Sequence, residues 1–401
     1  MLARVCTCLV PHGDGLRMRL AAGAAGSAMA RRLRLWPGLA FRPSATKGIS
    51  MSSSLSRRQL LQGAATLGAA HLASHSGLAI AQARSISATT YPGAWESAHR
   101  GILLPAFNKA TGASTNLVAS LAVDTVSKIV ASKANPPFDV IILDEGPYLA
   151  ALSQDIFEKI PVDKMPNLKD VPPKLVDSHG LGVFVSGQII GIAYNTEKIK
   201  TPPKSWNDLL KPEYKGRVGL AGMGSTLMSA WMAEIARLNG GGADNLEPAF
   251  QFVKKLLPSV SAVAGNPGSL ATLFQQGQID ISVHYNNNVG DLQAKGVPVA
   301  LVRPDTGWIH IKSVMHIVKN GKNPDLAAAY INAALSPDVQ TKMAAEPYFV
   351  APVSSKAVFS PGLQAYAKNT AEIEAMNSVD WAKLNPRRAE YIDRFNREVK
   401  V

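Results

Sequence analysis

Four short loops hold the residues best suited to chemistry. Tyr91-Pro92-Gly93-Ala94-Trp95, Asp144-Glu145-Gly146, Ala221-Gly222-Met223-Gly224-Ser225 and Tyr285-Asn286-Asn287-Asn288 each follow an apolar, strand-like run. In open α/β sheets, ligands bind beyond the carboxyl ends of strands. The loops supply aromatic faces, carboxylates, a helix start and amides, which suits reversible capture of a small polar molecule. Covalent catalysis would need other patterns. The chain has no G-x-S-x-G elbow, no Walker loop, no G-x-G-x-x-G after a strand and no H-E-x-x-H. His99, His179, His284, His310 and His316 do not stand at zinc spacing with a second type of ligand. Both cysteines, Cys6 and Cys8, lie near the N-terminus, so the rest of the chain holds no thiol nucleophile, disulfide or thiolate metal site. No metal and no cofactor is expected.

Each candidate also has a plainer reading. Trp95 could anchor a core at a helix start, although Trp is rarely buried completely. Asp144 and Glu145 could cap the following helix. Ser225 is an N-cap whether or not it meets a ligand, and the helix it starts could hold an anion. Asn286 and its two neighbours could be turn chemistry. Trp308, after Gly307 and beside the run Ile309–Val318, is a further site candidate. Trp206 and Trp231 read as core.

The elements that must position these residues alternate between strand-like and helix-like runs from residue 85, which predicts an α/β fold with mostly parallel sheets. Strands are expected over Ile86–Thr90, Phe138–Leu143, Val218–Leu220, Ile279–Tyr285 and Ile309–Val318. A longer extended stretch, Leu181–Tyr194, is broken at Ser186-Gly187. Helices are expected over Trp95–Thr111, with Pro105 kinking it and Gly112 ending it, and over Ser225–Leu238. Pro324–Ala345 is helical with an interruption near Pro337, and Asp380–Val401 reads as a terminal amphipathic helix. The Pro-rich segments Val171–Pro173 and Thr201–Pro203 are too short to be flexible linkers, so any two lobes must be joined by short extended segments.

The length of 401 residues suits about two domains. The net charge of +13 would suggest nucleic acid, but its position argues otherwise. Ten of the 42 Lys and Arg precede residue 84, against one of the 29 acids, which leaves only +4 for the remainder. Residues 1–50 are rich in Arg, Ala and Gly and read as an over-extended leader, with a transit peptide as the alternative. From Met51 to residue 83 the pattern is an export signal. Ser56-Arg57-Arg58-Gln59-Leu60-Leu61 resembles a twin-arginine motif. A moderately apolar run to Ile80 and small-x-small cleavage sites near Ala81 and Ala83 follow. A periplasmic location, reached folded by the twin-arginine route, is expected.

Six stretches resemble, in order, the bacterial extracellular solute-binding proteins of the spermidine/putrescine, ferric-iron and thiamine group. They are Tyr91–Gly112, Phe138–Pro147, Gly191–Lys198, Ser205–Val218, Gly296–Gly307 and Asn323–Gln340. The resemblance implies a two-lobed, type II Venus-flytrap fold that closes about two crossing hinge segments, here Val183–Ile192 and His310–Ile317. Residues 84–185 plus 314–401 would form lobe 1 with the C-terminal helices, and 186–313 lobe 2. It further implies a monomer that hands its solute to a membrane ABC permease and its ATPase, without nucleic acid.

By position in this family, Trp95, Asp144, Glu145, Ser225, Tyr285 and Asn286 would face the cleft. Ferric-iron members use adjacent tyrosines where this chain has Tyr285 followed by three Asn, which argues against iron. Polyamine members hold ammonium groups with acids and aromatic walls, and Trp95, Asp144, Glu145 and Tyr285 fit that use. An acid expected on the second crossing segment is replaced by Ser313, beside an unneutralised Lys312. Polyamine is the leading ligand, with a zwitterion or an anion such as an organic phosphonate as the alternative. A secreted α/β enzyme and a binding protein for a signalling receptor are the competing functions.

Overall fold

The computed structural model describes residues 84–400. The leader, the signal and its cleavage sites therefore lie outside the described residues. Among these, the strands are β1 (Ser85–Thr90), β2 (Ser114–Ala119), β3 (Val140–Asp144), β4 (Val183–Asn195), β5 (Val218–Ala221), β6 (Val260–Ala264), β7 (Ile281–Tyr285), β8 (Val299–Val302) and β9 (Ile309–Ile317). Their order is β2-β1-β3-β9-β4-β7-β5-β6, with β8 on β4. The outer pairs β1/β2, β1/β3, β5/β6 and β5/β7 are parallel, with helices as crossovers.

The centre is antiparallel and explains the two lobes. β4 is buried along all 13 residues, as its near-continuous apolar run requires. Its first half pairs with β9, from Val183 opposite Met315 to Ile190 opposite Ile309. Its second half pairs with β7 and β8. The second half of β9 pairs with β3. The two segments expected to cross are thus β4 and β9. The break expected at Ser186-Gly187 is a register shift between Phe184 and Ser186, not an end to the strand.

Two hydrophobic cores flank this crossing. One contains Ile86, Phe107, Ile142, Val183, Val314 and Tyr330. The other contains Ile192, Trp206, Trp231, Val283 and Ile309. Trp206 and Trp231 meet edge to face, with ring centres 6.3 Å apart. The C-terminal end departs from expectation. Trp381, Leu384, Tyr391, Phe395 and Val399 are buried in the second core, not the first. The helix Arg388–Glu398 buries Arg388, Tyr391 and Phe395 on one side and leaves Arg397 and its acids exposed, so its apolar stripe needed a partner, and lobe 2 provides it.

The first expected helix forms in three pieces. Ala94–Ala98 and Leu104–Thr111 are α-helical, and the turn between them, His99–Leu103, is π-helical. Pro105 has no N–H for the carbonyl four residues back, and the widened turn precedes it. Gly112 ends the run in the left-handed conformation (φ 67°), its N–H bonded to Asn108 O at 2.8 Å.

The C-terminal segment also touches lobe 1. Asn385 donates to Gly146 O at 2.8 Å, and a Cβ on Gly146 would overlap the Trp381 ring. Gly146→Val should therefore lower stability by about 1–3 kcal/mol, the usual cost of overpacking. Urea unfolding checks this, and an unchanged midpoint would show that Trp381 does not bear on Gly146 in solution.

Candidate functional site

Between the lobes lies a cleft with about 420 Å³ of free space, partly continuous with solvent. Its lining comes from residues at or after the ends of β1, β2, β3, β5, β6 and β7, plus Gln188 of β4. At the end of β1 the chain turns through Tyr91, Pro92 and Gly93, whose φ of 90° favours glycine. The turn sets Trp95 in the first turn of its helix. Trp95 is only 3% exposed and meets Tyr91 and His99 edge to face, at 6.2 and 5.1 Å. The Trp95 indole nitrogen has no hydrogen-bond partner among the described residues, whereas the Tyr91 hydroxyl stands against the Asp144 carboxylate.

Asp144 ends β3 and stands at the N-cap position of the helix Glu145–Ala151, but its side chain makes no capping bond. It turns instead to β9. The register places Ser313 opposite Asp144, and Ser313 Oγ donates to Asp144 Oδ1 at 2.9 Å. Gln188 Nε2 donates to the same Ser313 hydroxyl at 3.4 Å. Burial raises the Asp144 carboxyl above its ordinary value. The hydroxyls of Thr226, Ser313 and Tyr91, and the positive charge of Arg388, oppose that rise.

On the facing wall, Ser225 caps the helix Thr226–Leu238. Its Oγ accepts from Met228 N at 3.3 Å and donates to Gly222 O at 2.8 Å. Tyr285 ends β7 and is 5% exposed. Burial and the nearby Asp144 push its hydroxyl well above the ordinary tyrosine range. The lobes approach at two glycines: a Cβ on Gly93 would stand 3.0 Å from Gly268 Cα.

Trp95, Asp144, Ser225 and Tyr285 thus line one cleft, with Ser313 behind Asp144. Four other candidates stand elsewhere. Glu145 pairs with Lys312 at 3.1 Å, and Lys312 Nζ lies 4.8 Å from the Phe184 ring centre. Lys312 is therefore neutralised, contrary to expectation, because alternate residues of β9 point to opposite faces. Asn286 is fully buried; its Oδ1 accepts from Ile189 N at 3.0 Å and its Nδ2 donates to Phe349 O at 2.7 Å. The Asn run is not a loop but opens the helix Asn286–Ala294. Trp308 packs on Gly191 and, edge to face, on Tyr366 at 5.5 Å, away from the cleft.

The structure adds Tyr91, Leu121, Gln188, Thr226, Pro267 and Asn288 to the lining. Tyr91 and Asn288 belong to the loops named above and Thr226 adjoins one of them; Leu121 and Pro267 carried no signal. Arg388 lies behind the second wall, 6% exposed, with Nη2 donating to Gly224 O at 3.4 Å and Nε to Ser229 Oγ at 3.3 Å. Nothing in its local sequence separates it from the other arginines of the tail.

The family model for bacterial extracellular solute-binding proteins matches residues 103–371, two thirds of the chain. This chain belongs to that family. The solute-binding protein is 23% identical over 289 residues to the spermidine/putrescine-binding periplasmic protein of Escherichia coli K12, covering 70% of this chain and 82% of that one. To the gamma-aminobutyric acid-binding protein of Pseudomonas aeruginosa it is 24% identical over 272 residues, with 65% and 74% covered. Among solved structures, a periplasmic thiamin binding protein superposes with a TM-score of 0.66 at 20% identity, covering 79% of this chain and 96% of that one. The fold is accordingly the two-lobed, type II form.

Four buried histidines add a pH dependence. Burial lowers His99, His284 and His310 to about 3 and His316 to about 4, with Lys312 contributing at His310. They are neutral when folded and can take up protons when unfolded. Their stabilisation is complete above the unfolded value near ~6.5 and is lost as pH falls toward the folded values. The urea midpoint should be lower at pH 5 than at pH 7, each histidine contributing at most about 1.4 kcal/mol per pH unit. His99→Phe should flatten that slope, and a midpoint independent of pH in the parent would contradict the burial argument.

Proposed function

We propose that this protein is the capture subunit of an ABC importer and that its solute is a small amine, held as an ammonium ion. One observation carries the reading: Asp144 is the sole carboxylate in the cleft lining, and it lies among the aromatic rings of Tyr91, Trp95 and Tyr285. A carboxylate offers a charge-assisted hydrogen bond, and ring faces attract a cation. The spermidine/putrescine relatives support an amine, and polyamines are the class their names suggest. Delivery to a membrane permease agrees with relatives named as parts of ABC transporters. Export by the twin-arginine route to the periplasm rests on Ser56-Arg57-Arg58 and the run that follows.

Binding without turnover suits the same geometry. The Ser225 hydroxyl is engaged in its cap, and no histidine or lysine stands in the lining to activate it. A monomer that meets no nucleic acid is the simplest assembly, given the small charge surplus beyond residue 84.

Mass spectrometry of solute released from denatured protein should find an amine. Asp144→Asn should weaken its binding by about tenfold or more, since a hydrogen bond to a charged group is worth roughly 1.5–3 kcal/mol. Stability should hold or rise slightly, because a desolvated charge is removed. Trp95→Ala should also cost affinity through the lost ring face. Unaltered calorimetric affinity in both variants would move the site away from this cleft.

A further inference from the structure

A third segment crosses between the lobes. Val350 and Val353 belong to the first core, and Trp381 belongs to the second. The chain between them runs behind the hinge. Alternation along β4 and β9 turns Gln188 and Ser313 toward the cleft, and Gly187 and Lys312 toward this segment. The segment is fastened to both hinge strands. Gly187 of β4 and Ala351 exchange two main-chain hydrogen bonds, each of 3.0 Å. At the far end, His310 N of β9 donates to Asn377 O at 2.8 Å, and Asn377 N donates to Trp308 O at 3.0 Å. Between these points lobe 1 holds it down. Glu374 pairs with Lys174, Lys356 pairs with Asp170 at 2.9 Å, and Ser355 N donates to Asp170 O at 2.7 Å. A small core of Ala351, Ala367 and Ile373 makes it a packed unit.

Beneath it lies a cavity of about 250 Å³, lined by Ser186, Gly187, His310, Ala351, Thr370 and Glu374 among others. Ser186 Oγ, His310 Nε2 and Glu374 Oε1 are buried without a hydrogen-bond partner among the described residues. Buried polar atoms are nearly always paired, so the packing here is incomplete. Elsewhere the contact is tight: a Cβ on Gly187 would stand 2.6 Å from His310 Nε2 and 3.4 Å from Ala351 Cβ. Lobes that part in front of a two-stranded hinge draw together behind it. Opening the cleft therefore compresses this cavity and presses the segment against β4 and β9.

We propose that residues 351–377 form a wedge behind the hinge, and that the cavity beneath them is the slack that lets the cleft open. Filling the slack favours the closed form. Loosening the Glu374–Lys174 fastening lets the wedge lift and favours the open form. Affinity scales with the fraction of protein in the binding-competent form, so the wedge sets it from residues outside the cleft lining.

Hydrogen exchange of the solute-free full chain, read by mass spectrometry, tests the wedge without any assumption about the solute. The peptides to follow contain Gly93 and Gly268, where the lobes meet. Asn369 caps the helix that Thr370 starts, which leaves the Thr370 side chain free to change. Thr370→Leu should slow exchange in those peptides by about threefold or more, and Glu374→Gln should speed it by a similar factor. Calorimetry with 1,4-diaminobutane should follow, tighter in Thr370→Leu and weaker in Glu374→Gln. Lys174→Met should match Glu374→Gln, and the double variant should add little to either. Damage to the fold can weaken binding but does not tighten it, so the gain in Thr370→Leu separates a wedge from a merely structural strap. If Thr370→Leu does not fold, Ser186→Thr adds one methyl group to the same cavity and takes its place. A folded variant that leaves exchange unaltered, or moves it the other way, overturns the wedge. If 1,4-diaminobutane fails to bind the parent, the amine reading suffers and exchange alone decides the wedge.

Discussion

The antiparallel ladder between β4 and β9 holds the rest of the molecule in place. It is the main-chain connection between the two halves of the sheet, and each half carries its own core. Because β9 also pairs with β3, the ladder sets Ser313 beside Asp144 and brings Gln188 to the other side of Ser313. The residues that join the lobes are therefore the residues that orient the cleft carboxylate. A rotation of one lobe about these strands cannot leave the support of Asp144 untouched, which ties domain movement to the chemistry of capture.

Asp144 is stable in this setting only because of the neighbours around it. Desolvation acts against the charged form, while three hydroxyls and a distant guanidinium act for it. In a cleft from which water is partly excluded, each of these interactions is stronger than it would be at a surface. The next residue, Glu145, lies outside the cleft lining, paired with Lys312 on the opposite face of β9. Two adjacent acids thus stand in unlike settings, one in an ion pair with Lys312 and one facing the cleft among hydroxyls. The alternation of side chains along a single strand separates them.

Much of this is legible in the chain. Period and turn chemistry locate β1, β3, β5, β7 and β9, and the loops after four strands contain Trp95, Asp144, Ser225 and Tyr285. Ser225 reads correctly as a cap because its side chain answers to local geometry. What escapes depends on contacts distant in sequence. Lys312 reads as unneutralised because its partner lies 167 positions away, which only the β3/β9 pairing brings near. Asn286 reads as a cleft residue, with a turn as the plainer alternative, but its amide bonds to Ile189 and Phe349, from other segments. The tail reads as part of lobe 1, since an amphipathic stripe names the need for a partner and not the partner itself. Arg388 is invisible for the same reason: only packing against Gly224 and Ser229 makes it different from its neighbours.

The contact between the lobes at the mouth of the cleft bears on how capture is driven. Gly93 and Gly268 meet backbone to backbone, with Pro92 O near the Gly268 position as well. Such a contact permits close approach but buries little apolar surface, so the two lobes gain little from each other there. A solute shifts the balance between open and closed forms only by as much as it prefers one of them. With weak contact between the rims, that preference must come from groups on both walls engaging the solute at once. Closure therefore depends on what each wall offers the solute, the aromatic rings and Asp144 on one side and the helix start at Ser225 on the other.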